Sequence, residues 1–149
     1  MKTPDVNVLL YAVNADSHQQ RVAARWLERA YAEPAGIGFS WVALLGFLRI
    51  STRVGIFPRP LTLDEALGQV DEWLNHPRAR MLHPGERHAA ILARLLMGAG
   101  RAGDLVTDVH LAALAIENAA VLGSFDRDFE RFPGLHMERL LANSVHEGS

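Results

Sequence analysis

Three aspartates occupy positions in this sequence where a metal-assisted reaction could take place. Asp5 follows a short strand predicted at the N-terminus, and Asp126 follows another predicted around residues 121–124. Asp108 stands in the first turn of a predicted helix. In open parallel sheets, ligand sites form beyond the carboxyl ends of the strands, where the next helices begin. Three carboxylates converging there would repel one another unless a cation held them together.

The available ligand atoms indicate which cation that would be. The sequence contains no cysteine, so thiolate metal sites and disulfides are excluded. Carboxylate oxygens favour a hard ion, Mg²⁺ or Mn²⁺, over zinc. Such an ion can polarise a phosphoryl oxygen and generate a hydroxide nucleophile. The spacing of the acids therefore suggests metal-assisted phosphodiester hydrolysis.

Each acid also has a purely structural interpretation. Asp108 would stabilise a helix N-terminus through the macrodipole. Asp126 and Asp128 would close an Asx-turn, and Asp5 would be a surface acid near the chain terminus. The pattern alone leaves the structural and the catalytic interpretations about equally open.

Helices alternate with short apolar strands along the chain, which favours an α/β sandwich around a mostly parallel sheet. Apolar residues at helical spacing, such as Val6, Leu9, Leu10 and Val13, define the helices. The predicted strands cover about residues 1–4, 37–39, 79–82, 119–125 and 135–140, and the predicted helices about 6–13, 17–31, 41–53, 62–75, 84–98 and 108–118.

Capping residues predict where several helices begin. Thr62 with Glu65 forms a capping-box pattern, and a loop holding Pro58 and Pro60 precedes it. The other expected starts are Asp16 or Ser17 for the second helix, Ser40 for the third, Pro84-Gly85-Glu86 for the fifth and Thr107 for the sixth.

The bulk properties of the 149 residues fit one domain, expected over residues 1–141, with a flexible polar tail at 142–149. No apolar run approaches the roughly 18–20 residues of a membrane span. The N-terminus lacks the features of a signal peptide, so we expect a cytoplasmic protein. Net charge is −2, and fourteen of the fifteen basic residues are arginine. Arginine forks suit phosphate oxygens, although a GC-rich gene gives the same bias.

Three segments around the acids resemble the motifs of the PIN-domain family, and in particular VapC toxins of the mycobacterial sort. Residues 5–12, Asp-Val-Asn-Val-Leu-Leu-Tyr-Ala, resemble the family's opening. Residues 107–115, Thr-Asp-Val-His-Leu-Ala-Ala-Leu-Ala, resemble its third acidic motif, and residues 124–135 resemble its closing motif. The last two motifs together are specific, and the resemblance extends over about residues 1–140.

The resemblance implies a three-layer α/β/α fold with a central parallel sheet and magnesium-dependent cleavage of RNA. It also implies a cognate VapB antitoxin that occludes the site. Asp5, Asp108 and Asp126 would form the acidic cluster, with Asp5 and Asp108 as the best metal ligands. Asp126 would hold a second ion or orient water. The substrate would be a structured cellular RNA such as tRNA, cut in its single-stranded loops, and the abundant apolar helices favour a homodimer.

One departure from the family pattern concerns a missing acid. Many members carry a glutamate early in the helix after the second strand, and Gly46 aligns with that position. No acid occurs between Phe39 and Pro60. Either Asp128, as an auxiliary ligand, or Asp104 substitutes in part, or the metal is held more weakly through water. Because this glutamate is missing, one alternative function is a catalytically weak PIN-like binding module. The other alternative is a housekeeping RNA-processing nuclease without an antitoxin.

The seven histidines raise the alternative of a zinc site, but no HExxH motif is present. His76, His83 and His88 lie near predicted loops or a helix start, where solvated side chains are expected. His110 follows Asp108 by two residues, so on a helix it would point away from the acid.

Overall fold

Five parallel strands form the centre of the computed structural model, which describes residues 1–55 and 59–141. The strand order across the sheet is β3-β2-β1-β4-β5. In β1, Lys2 is in register with Ile37 of β2 on one side and with Val121 of β4 on the other. The strands are β1 (Lys2–Pro4), β2 (Ile37–Phe39), β3 (Ala79–Met81), β4 (Val121–Ser124) and β5 (Met137–Arg139).

Helices cover the sheet on both faces and create two separate apolar cores. The first core joins buried residues of α1 to α4 with Ile37 and Phe39 of β2. The second joins α5, α6 and a 3₁₀ helix with Leu122 of β4. The helices are α1 (Val6–Val13), α2 (Gln20–Ala32), α3 (Trp41–Ser51), α4 (Leu63–Asn75), α5 (His88–Ala99), α6 (Leu105–Glu117) and the 3₁₀ helix (Arg127–Arg131).

The expected three-layer α/β/α architecture is thus confirmed, and the pairing among the described strands is entirely parallel. No helix within the described ranges is long and apolar enough to cross a membrane.

The close approach of α2 to β4 depends on Gly123. A Cβ built on Gly123 would lie 2.2 Å from Cζ2 of Trp26, whose side chain is nearly buried. The indole of Trp26 therefore lies directly over β4 at Gly123, which has no side chain. A residue with a Cβ at this position would force the ring, and with it α2, away from the sheet.

Gly123→Ala is accordingly expected to destabilise the protein by about 1–3 kcal/mol, because overpacking a well-filled core forces side chains and backbone to shift. Denaturant-induced unfolding measures this change. Gly68→Ala is the matched control, since the exposed Gly68 of α4 has no atom within 4 Å of an added Cβ. The control should gain roughly 0.5–1 kcal/mol from helix propensity. Equal stability of Gly123→Ala and wild type would contradict the packing described for Trp26.

Two of the predicted helix caps are confirmed. Ser40 accepts a hydrogen bond from the backbone N–H of Ala43, and Thr62 with Glu65 forms a complete capping box at the start of α4. The predicted loop residue Pro58 and the predicted flexible tail at 142–149 lie outside the described residues.

Three other predicted helix starts are wrong. Neither Asp16 nor Ser17 caps α2, which begins only at Gln20, and Ser17 instead accepts from the backbone N–H of Gln19 in the preceding turn. Residues 84–87 precede α5, because the carboxylate of Glu117 accepts the N–H groups of Gly85 and Arg87. The sixth helix begins at Leu105, so Thr107 lies inside it and does not cap it.

Candidate active site

The middle of the sheet provides the crevice in which the acids meet. From β1 the chain proceeds to β2 and β3 on one side, and β4 and β5 lie on the other. The strand order thus reverses between β1 and β4, and ligands of open parallel sheets bind at such a point. Asp5 directly follows β1, and Asp126 follows β4 by two residues. The predicted placement of these two acids at one sheet edge is confirmed.

Asp5 is a buried carboxylate held in a fixed orientation. Its Oδ1 accepts the backbone N–H of Val6 at 2.7 Å, which caps α1. Its Oδ2 accepts the hydroxyl of Ser124 at 2.7 Å. Burial raises the pKa of Asp5 above its ordinary value, although both hydrogen bonds act in the opposite direction. Asp5 is therefore a buried helix cap and not a surface acid.

Ser124 connects the two strand ends. Its side chain is fully buried, and its Oγ donates to Asp5 while accepting the backbone N–H of Asp126 at 3.0 Å. The amide of Asn7 donates to the same Oγ at 3.3 Å and accepts the N–H of Phe125 at 3.2 Å. The turn after β4 is thereby tied to the first turn of α1.

Asp126 opens the 3₁₀ helix that follows β4. Its Oδ1 accepts the backbone N–H of Asp128 at 2.8 Å, so the Asx-turn predicted for this pair is present. Two residues later, Asp128 lies exposed beside the guanidinium of Arg131, with 3.5 Å between Oδ2 and Nη2. The turn orients Asp126 and leaves its second carboxylate oxygen without a hydrogen bond from any described residue.

Asp108 projects from the first turn of α6 and is about half-buried. Burial and the negative charges of Asp5, Asp126 and Asp128 raise its pKa to about 6, while Arg131 acts in the opposite direction. No hydrogen bond to its carboxylate occurs among the described residues. The four acids thus form one electrostatically coupled group, which we call the acid cluster.

The acid cluster suits a hard cation by its chemistry, because it offers only carboxylate oxygens and concentrates negative charge. Within residues 1–55 and 59–141, however, no three His, Asp or Glu side chains are already arranged as a set of metal ligands. The fit therefore lies in donor type and charge. The metal-binding roles of Asp5, Asp108 and Asp126 stay predictions.

Gly46 packs against Val6, the first residue of α1. A Cβ built on this buried residue of α3 would lie 3.0 Å from Cγ2 of Val6, the residue after Asp5. The position that aligns with the family glutamate thus faces the start of α1. Asp128 and Asp104 were the two acids suggested as substitutes for that glutamate. The charge of Asp128 raises the pKa of Asp108, whereas Asp104 is exposed and is not among the charges that shift the pKa of Asp108.

The histidines include one for which the expectation was wrong. His76 and His83 are exposed as predicted. His88, in contrast, is only 12% exposed in its side chain, because α5 packs on α6 and brings its Nε2 to 3.0 Å from Nδ1 of His110. His110 therefore faces α5 and not the acid cluster.

Sequence reasoning assigned no role to Ser124, Asn7 or Arg131, although all three contact or influence the acids. Asn7 and Ser124 lie within two residues of a predicted acid, and this proximity was the available signal. Their hydrogen bond, however, joins residues 117 positions apart in the chain. Only the pairing of β1 with β4 brings them together.

Comparison with known proteins places this architecture in a family. The PIN domain model matches residues 2–135. The chain therefore belongs to the PIN domain family. Its curated relatives include ribonuclease VapC37 of Mycobacterium tuberculosis, which is 48% identical over 93% of this chain and 96% of the relative. Ribonuclease VapC33 of the same species is 42% identical over 91% of this chain and 94% of the relative.

Solved structures show the same fold. VapBC2 from Rickettsia felis, determined with a DNA fragment from its promoter, gives a TM-score of 0.69 at 20% identity, covering 94% of this chain and 98% of that one. VapC20 of M. tuberculosis, described as a toxin that cleaves the sarcin-ricin loop, gives a TM-score of 0.65 at 15% identity over 91% of this chain and 99% of that one. The predicted membership of the PIN family, with VapC ribonucleases as relatives, is confirmed.

Proposed function

We propose that this protein is a VapC-type toxin, an endoribonuclease that hydrolyses RNA phosphodiester bonds with the help of Mg²⁺ or Mn²⁺. The observation that carries the proposal is the acid cluster at the junction of β1 and β4, in a chain 48% identical to a ribonuclease. We further propose that it acts in the cytoplasm on a structured RNA such as tRNA.

We propose the following roles for the residues of the acid cluster. Asp5 and Asp108 would hold the metal ion, Asp126 would hold a second ion or orient water, and Asp128 would add negative charge. A bound Mg²⁺ would supply Lewis-acid polarisation of the phosphoryl group. Ser124 would hold the carboxylate of Asp5 in orientation through its 2.7 Å hydrogen bond. Preorganisation of this kind is the usual contribution of groups that support metal ligands.

Partners form the second part of the proposal. Solved relatives are complexes of VapC with VapB, as in the VapBC structures from R. felis and Salmonella typhimurium. We therefore propose a VapB-like antitoxin for this chain. A homodimer is proposed as well, because α3 exposes Trp41 and Leu45 by 47% and 57%. Light scattering of the purified protein tests the dimer.

The decisive experiment is cleavage of total RNA by purified protein, with the cut sites mapped by sequencing. Discrete cuts are expected with Mg²⁺ or Mn²⁺, and none after the metal is removed with EDTA. Uncut RNA at every metal concentration would favour the catalytically weak binding module. Cleavage that persists in EDTA would refute the metal role of the acid cluster.

Expression in cells separates a toxin from a housekeeping nuclease. The wild-type chain expressed alone should arrest growth, and co-expression of the small protein encoded beside it should restore growth. Asp108→Asn, produced at the same level, is the matched control and should be harmless. Normal growth with abundant, folded and RNA-cleaving wild-type protein would favour the housekeeping enzyme.

A further inference from the structure

A second feature near the acid cluster is a cavity of about 350 Å³ between the C-terminal half of α5 and the end of the 3₁₀ helix. Its volume is within the ~300–1,000 Å³ typical of small-molecule sites. None of the described residues that line it is acidic. We call it the arginine pocket, and the described residues that line it are Arg94, Leu95, Gly98, Ala99, Arg131, Phe132 and Pro133.

The floor of the arginine pocket is apolar and its walls are cationic. Leu95 and Phe132 are almost completely buried, at 2% and 4% exposure, so they form a rigid apolar base. Arg94 is exposed, and its Nη1 donates to the carbonyl of Pro133 at 3.3 Å. Within the described part of the chain, no carboxylate lies within 4.0 Å of its guanidinium. Arg94 thus has free donors and an unneutralised charge.

Arg131 joins the pocket to the acid cluster. Its Nε donates to the carbonyl of Asp128 at 3.0 Å, and its charge acts on Asp108. An RNA strand bound across the acid cluster would therefore reach the arginine pocket next. A guanidinium fork suits phosphate oxygens, and an apolar floor suits the face of an unstacked base.

We infer that the arginine pocket binds one nucleotide of the RNA next to the scissile phosphodiester, with Arg94 and Arg131 on its phosphate and Leu95 and Phe132 beneath its base. This inference rests on the proposed ribonuclease function. Single-stranded RNA is the favoured occupant because its bases can turn out of the chain into a pocket. An acidic peptide would use the two arginines but would leave the apolar floor uncovered.

Two variants test the pocket in different ways. Arg94→Gln removes one charge without touching the acid cluster. Gly98→Met keeps the charge and adds bulk, and its helix is not strained because nothing lies within 4 Å of an added Cβ. Arg25→Gln is the matched control for charge, since Arg25 is exposed in the middle of α2, in the opposite helical layer.

The readout is binding of a short fluorescent single-stranded RNA of mixed sequence, measured by anisotropy in EDTA so that no cleavage occurs. Both pocket variants should bind about five- to tenfold more weakly: Arg94→Gln because it loses a charge-assisted contact, and Gly98→Met because its side chain fills space in the pocket. Arg94→Gln should also lower the salt slope of log K by about 1. Arg25→Gln should bind like wild type. RNA carrying 4-thiouridine should crosslink to the segment around Phe132 in wild type and not in Gly98→Met.

Several outcomes would overturn the inference. It would be overturned if both folded variants bound RNA as tightly as wild type, or if the crosslinks lay elsewhere. It would also be overturned if the wild-type protein bound no RNA at low salt. Loss of antitoxin affinity with intact RNA affinity would assign the pocket to a protein partner instead. Because binding is measured without metal, a protein that binds RNA here but never cuts it would refute the proposed function and leave the pocket assignment standing.

Discussion

Asp108→Asn is expected to abolish RNA cleavage and to leave the fold intact. Asparagine is nearly isosteric with aspartate, so α6 should begin at Leu105 as before. The amide, however, lacks the negative charge that attracts a hard cation. We expect cleavage to fall by at least about 100-fold, the size of losing one electrostatic contribution to the transition state. Cleavage of total RNA over a titration of Mg²⁺ and Mn²⁺ measures the loss.

In the metal-free protein, Asp108→Asn is expected to increase the free energy of unfolding, although it abolishes cleavage. The pKa of Asp108 is raised to about 6 in the folded protein. The protonated carboxyl therefore contributes to stability in full below the ordinary aspartate pKa of about 3.9. That contribution is lost as the pH rises through 6. At about pH 8 in EDTA, Asp108→Asn should therefore be more stable than wild type, by about 1 kcal/mol after discounting for solvent screening of a half-exposed side chain. The difference should shrink towards pH 4.

Asp104→Asn is the matched control, because Asp104 lies at the start of the same helix and is exposed. It should cleave RNA like wild type. The helix-dipole interpretation of Asp108 predicts a different pattern for Asp108→Asn: a loss of roughly 0.3–1 kcal/mol with activity retained. Wild-type cleavage by Asp108→Asn at limiting metal would end the catalytic assignment.

Ser124→Ala is expected to lower both cleavage and stability. The substitution leaves Oδ2 of Asp5 and the backbone N–H of Asp126 without their partner. An unsatisfied buried group costs about 1–3 kcal/mol. Removing a group that orients metal ligands lowers activity by about 10- to 100-fold. The pKa of Asp5 should rise further, because the hydroxyl of Ser124 lowers it. Thermal unfolding and cleavage against Mg²⁺ concentration measure the two effects.

Ser51→Ala separates the hydrogen bond from the mere loss of a buried hydroxyl. Ser51 is as buried as Ser124, but its Oγ has no hydrogen-bond partner among the described residues. Its replacement should leave cleavage unchanged and should not reduce stability. If Ser124→Ala behaved like Ser51→Ala, Ser124 would have no positioning role.

The order of strands and helices was predictable because it depends on local patterns. The change from strand to helical spacing at Asp5 and the capping box at Thr62 both reside in neighbouring residues. Thr107 misled the prediction for the same reason. It has the chemistry of a cap, but Gly103, with its positive φ of 64°, already turns the chain before Leu105.

The support around the acids was not predictable, because it depends on contacts between distant segments. A serine at the end of a strand carries no signal of its own, and Ser124 reaches Asp5 only because β4 pairs with β1. His88 appeared solvated near a helix start, yet Glu117 and His110 enclose it once α5 packs on α6. Tertiary packing decided both cases.

The pairing of the first strand with the fourth also determines when, during synthesis, the acid cluster can form. Val121 must leave the ribosome before Lys2 has its partner in β4, and Asp126 emerges later still. Domains begin folding from the N-terminal side as the chain is made. Here β2 is available to β1 early, but the pairing of β1 with β4 requires a chain made through Ser124. A nascent or truncated chain that ends before β4 therefore has an Asp5 carboxylate without the Ser124 hydroxyl and lacks Asp126. The acid cluster can therefore form only after β4 and the 3₁₀ helix have been synthesised.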